Sequence, residues 1–144
     1  MRSREIDVRP LREDILGLIQ EFGPPACELA LVDSVQQWAQ SAGIEELDPF
    51  RAAMAATRHQ DGVPFIVILN RITEDIQGSV IGALQFRGFG SEADRLRDPA
   101  LFLEHLVLHE IAHLVLDKPS ESDCDRWAFD RLGGKLSFSL GGAA

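Results

Sequence analysis

Apolar residues return at helical spacing early in the chain. Leu11, Ile15, Leu18, Ile19 and Phe22 fall on one face after Pro10, whose fixed ring suits a first helical turn. Residues 4–9 read as a short strand or an extended lead-in, and Gly23-Pro24-Pro25 stops the helix. A second stripe, Leu29, Val32, Val35 and Trp38, predicts a helix from about Ala26 to Ser41, closed by Gly43. Asp48-Pro49 pairs a capping carboxylate with a first-turn proline and predicts a third helix over RAAMAATRHQ, ended by Asp61-Gly62.

The pattern then changes. Pro64 to Asn70 is a short, apolar, β-branched run and predicts a buried strand. RITEDIQGS reads as a polar loop, and Ser79 to Arg87 as a second strand interrupted by Gly82, so the two runs suggest an antiparallel hairpin. Gly88 to Arg97 is a loop or a short helix. Asp98-Pro99 opens the most apolar helix, ALFLEHLVLHEIAHLVLD, and Lys118-Pro119-Ser120 breaks it. Ser120 and Asp123 form an imperfect capping-box pattern for a last helix, ESDCDRWAFDRL, which stops at Gly133-Gly134. Helices, then strands, then helices predict an α+β fold with N-terminal helices and a small antiparallel sheet. One domain is expected over 1–140, with 141–144 as a loose tail.

Composition narrows the partners. The chain has 144 residues, 45% hydrophobic, and a net charge of −9. A folded domain is expected, and neither a nucleic-acid backbone nor an anionic membrane surface suits that charge. MRSREIDVRP holds no apolar run, and no stretch is long enough to span a bilayer, so a cytoplasmic setting is expected. Cys27 and Cys124 are too few for a disulfide framework and read as two small buried thiols.

The apolar helix carries His109-Glu110-Ile111-Ala112-His113. Histidines four apart lie one turn apart on the same face, so both imidazoles can reach one zinc ion. Glu110 is offset from His109 by about 100°, which aims it at a water on the metal rather than at the metal. Leu103, Leu106, Val107, Leu108 and Ile111 make the helix apolar on nearly every side, so these polar groups are buried and need partners. His105, a turn earlier, reads as a partly buried histidine bonded to a backbone carbonyl, and His59 as a solvated group near Asp61.

A hydrolytic zinc site takes a third protein ligand. Glu121, Asp123, Asp125 and Asp130 on the next helix are the candidates. Glu121 and Asp125 share a face, so one can bind metal while the other accepts the N–H of a ligating histidine; Asp123 points away from both. A strictly antiparallel hairpin would set Asp125, not Glu121, level with His113.

HEIAHLVLD followed by ESDCDRWAFDRL resembles the ImmA/IrrE type of gluzincin metallopeptidase, in which a HExxH helix precedes a Glu-x-x-Ala-Asn/Asp-x-Phe-Ala pattern. Glu121 falls on the ligand glutamate, Cys124 on the small residue, Asp125 on Asn/Asp, Trp127 on Phe and Ala128 on Ala. The likeness covers residues 99–132; the proline usual after the leucines is missing. It implies a zincin-like fold, zinc held by His109, His113 and Glu121 with Asp125 behind a ligand and Asp123 as fallback, and a cytoplasmic setting.

The expected reaction is peptide hydrolysis with Glu110 as general base. The expected partner is a polypeptide substrate, with a regulatory protein as a further candidate. The substrate would pair along the Ser79–Arg87 edge. The chain has no Tyr, so an oxyanion donor must be zinc, a backbone N–H, Arg or His. The rival reading is a zinc-stabilised binding module with little or no turnover.

Overall fold

Pro64–Leu69 is apolar throughout, and Ile66, Val67 and Ile68 are wholly buried. A strand with no polar alternation must be covered on both faces. In the computed structural model, which describes residues 5–45, 48, 51–58 and 60–136, this strand is the centre of a sheet.

The elements run β1 (Glu5–Asp7), a 3-10 turn, α1 (Arg12–Phe22), β2 (Glu28–Val32), α2 (Val35–Ser41), β3 (Ala53–Thr57) and β4 (Pro64–Leu69). They continue with β5 (Arg71–Thr73), α3 (Glu74–Phe86), α4 (Gly90–Asp94), a second 3-10 turn, α5 (Pro99–Val115) and α6 (Glu121–Arg131). The sheet order is β2-β4-β3: β2 lies parallel to β4 and β3 antiparallel to it. β1 and β5 form a separate antiparallel pair. Helix α5 packs against α1, α6 and β3, with Leu103, Val107, Leu108 and Ile111 fully buried. Trp38 of α2 packs on Phe65 of β4, the rings tilted by 57° and 4.9 Å apart between centroids. The architecture is α+β. Among the described residues no helix is long and apolar enough to cross a membrane.

Four expectations change. The stretch expected to be one helix over 26–41 divides. Glu28–Val32 is a strand, Val32 O accepts from Asn70 N at 2.7 Å, and Asn70 Nδ2 donates to Asp33 at 2.8 Å. The helix begins only at Ser34, whose hydroxyl accepts from Gln37 N at 3.1 Å. The spacing of Leu29, Val32, Val35 and Trp38 is real, but pairing with β4 overrides it.

RAAMAATRHQ is not a helix either. Ala53–Thr57 pairs with β4, and Asp61-Gly62 closes that hairpin, with Gly62 at φ +71 and Asp61 Oδ1 accepting from Val63 N at 3.0 Å. Alanine's helix preference is small beside a ladder of backbone bonds. Pro49 and His59 lie outside the described residues.

The predicted loop and strand over 71–87 are instead β5 and α3. Thr73 caps α3, its hydroxyl accepting from Ile76 N at 3.2 Å, and Glu74 and Asp75 sit in the first turn, where the helix dipole favours them. Ile76, Val80 and Leu84 are a helical stripe that the β-branched Val80-Ile81 pair obscured. The sheet is therefore mixed rather than antiparallel, and its hairpin is β3–β4. Cys27 is part-buried and Cys124 buried, and both are free thiols.

Candidate metal centre

Helix α5 starts where expected: Asp98 accepts from Ala100 N at 2.9 Å and Pro99 occupies the first turn. It delivers His109 and His113 to one face. Lys118, at φ +49, turns the chain, and α6 begins with a complete capping box between Ser120 and Asp123. Asp123 is thus committed to its own helix end, at 3.0 Å from Ser120 N, and Asp130 pairs with Arg126 at 3.5 Å. Neither joins the histidines.

Glu121 does. Its Oε2 lies 2.7 Å from His109 Nε2 and 3.3 Å from His113 Nε2. One ligand atom from each of His109, His113 and Glu121 falls within 4.8 Å of the others, the only such group of three among the described residues. Atoms about 2.0–2.2 Å from a tetrahedral ion stand about 3.3 Å from one another, so the donor set fits a divalent ion once the shorter contact opens by roughly half an ångström. His109 Nδ1 donates to Asp125 Oδ1 at 2.7 Å, the role foreseen for the second carboxylate on that face.

Charge and burial set the protonation states. Burial opposes a charged His109, but the carboxylates of Asp125 and Glu121 outweigh it and raise the imidazole to about 10. Those histidine bonds hold Glu121 well below the usual carboxylate range. Burial pushes Asp125 upward, yet His109 and Arg87 keep it below its ordinary value. Glu110 is fully buried, which raises its carboxyl, and its Oε1 has no hydrogen-bond partner. An orphaned buried oxygen beside three converging ligands is what a site built around an absent group leaves behind.

His109, Glu110, Glu121 and Asp125 line a cavity of about 1130 Å³. Ala52 and Ala53 line one side, Ile76, Val80 and Ala83 of α3 the other, and Leu106, His109 and Glu110 the base. No family model matches this chain, and neither a curated protein nor a solved structure does.

Two site residues escaped the sequence reading. Arg87, read as the end of a strand, is the C-cap of α3; its Nε and Nη2 meet Asp125 Oδ2 at 2.8 and 2.7 Å. Arg51, expected within a helix, lines the cavity and donates from Nε to Ala53 O at 3.1 Å. His105 is 3% exposed and faces the same cavity, its Nε2 without a partner and 3.9 Å from Asp125 Oδ1. Burial drives it down to about 3, so it is neutral.

Proposed function

We propose that this protein is a zinc-dependent metallopeptidase of the zincin type, similar to the ImmA/IrrE gluzincins. The observation that carries the reading is the meeting of His109, His113 and Glu121 beside the buried, unpartnered Oε1 of Glu110 at the base of an open cavity. A zinc ion there would supply Lewis acidity and lower the pKa of a water it holds.

The chain's own groups do the rest. Glu110, its carboxyl raised by burial, accepts a proton from the attacking water and returns it to the leaving amine. Asp125 holds His109 with Nδ1 protonated, which leaves Nε2 to face the metal. The edge for an extended peptide is β3, in place of Ser79–Arg87. Leu69 N donates to Ala52 O and Arg58 N to Val63 O, so the alternate residues Met54 and Ala56 bond inward to β4. The backbone groups of Ala53, Ala55 and Thr57 point away from the sheet; Ala53 lines the cavity, and its carbonyl accepts from Arg51 Nε. That geometry suits strand addition by a polypeptide substrate.

Glu110→Gln separates the readings. It is expected to keep one zinc per chain while cleavage of a peptide library falls by about 10²-fold or more. A native protein without metal by elemental analysis would sink the zinc centre. A wild type as inert as Glu110→Gln, with zinc retained, would leave the zinc-stabilised binding module.

A further inference from the structure

Asp125 is 1% exposed and carries its charge on two separate duties. Oδ1 takes the His109 Nδ1–H at 2.7 Å; Oδ2 accepts from Arg87 Nε at 2.8 Å, with Nη2 in ion-pair contact at 2.7 Å. With Oδ1 tied to His109 and Oδ2 tied to Arg87, both ends of the carboxylate are held, which the single bond to an imidazole would not achieve. His105 Nε2, buried and unpartnered, lies 3.9 Å from the same Oδ1, so the carboxylate is enclosed on that side as well.

Arg87 is itself held from behind. Its backbone N donates to Ala83 O at 3.0 Å, Gly88 turns the chain at φ +96, and Phe89 packs on Phe129 of α6 at 5.4 Å between centroids. The end of α3, which walls the cavity, is thereby seamed to the helix that carries Glu121 and Asp125.

We infer that Arg87 is a positioning residue for the metal centre: it clamps Asp125 so that His109 presents Nε2 to the ion. This rests on the zinc reading above, and it adds a residue from a third helix to a centre otherwise built on α5 and α6. Arg87 touches neither metal nor substrate; it acts through Asp125.

The test is zinc affinity of the full chain, measured by competition with a chromophoric chelator. Partners of a ligating histidine are worth about 10–100-fold in affinity, and Arg87→Met is expected to lose about tenfold. Arg87→Lys, which keeps the charge but loses the Nε donor, is expected to fall between. The loss must vanish in an Asp125→Asn background, to within about twofold, because the two residues form one path. Arg87→Met binding zinc as wild type does would overturn the inference. So would an equal loss with Asp125 already replaced, which marks a general weakening of the fold. Should Arg87→Met not fold, Arg87→Lys carries the same comparison. A wild type that takes up no zinc brings down the proposed function and this inference together; a zinc-binding wild type with an indifferent Arg87 brings down this inference alone.

Discussion

His109 sits between two carboxylate oxygens, each 2.7 Å away, and without a metal both of its nitrogens must donate. That is why its imidazole is raised to about 10 despite burial. A raised value means the charged form stabilises the metal-free fold fully below its ordinary 6.5 and loses that contribution as pH climbs through about 10. Zinc would take the place of the Nε2 proton. Uptake at pH 7–8 is therefore expected to release about one proton, and affinity to rise about tenfold per pH unit. Calorimetric titration in buffers of different ionisation heat measures this directly; a proton count near zero contradicts it. The shared face of His109 and His113 was legible at this scale because four residues on a helix are one turn, whatever the fold. Arg87 was not, because its partner lies 38 residues away across a seam between two helices.

At the scale of elements, the centre depends on where α6 is held. Its start is set by the capping box of Ser120 and Asp123. Its end is set by Glu104 of α5, wholly buried, whose carboxylate accepts from Gly133 N at 2.8 Å, Lys135 N at 2.5 Å and Leu136 N at 3.1 Å. Ser120→Ala is expected to cost about 1 kcal/mol. Glu104→Ala strands three backbone donors and is expected to cost about 3 kcal/mol or more. Denaturant unfolding of the metal-free protein checks both, and a Glu104→Ala midpoint equal to wild type would show that the segment after α6 is not held this way. The capping signals of α5 and α6 were readable because caps are local. The same chemistry at Thr73 was overlooked, because a β-branched run after it imitates a strand.

For the whole molecule, a metal held by the proposed ligands would join α5 and α6, which otherwise meet through packing and the histidine–carboxylate bonds. Zinc at a thousandfold excess over its dissociation constant stabilises the folded state by about 4 kcal/mol. For a chain of this size that corresponds to a melting temperature roughly 8–16 °C higher. Thermal melts with zinc and with chelator should differ by that amount; identical curves would mean that the ion contributes nothing to the fold.

By itself the sequence determined what is set within one or two helical turns: the buried α5, its motif, the break after it, and the pairing of Glu121 with Asp125 on one face. The α+β class followed from the same local signals. Only the tertiary structure decided the rest. Strand pairing turned an alanine-rich segment into the cavity's edge and half of a predicted helix into β2, since backbone ladders outweigh residue preferences of a few tenths of a kcal/mol. The packing of Phe89, just beyond α3, on Phe129 of α6 brought Arg87 to Asp125. Which of Glu121, Asp123 and Asp125 comes to face the two imidazoles was decided by how α6 packs on α5 after the Lys118 turn, which no spacing encodes.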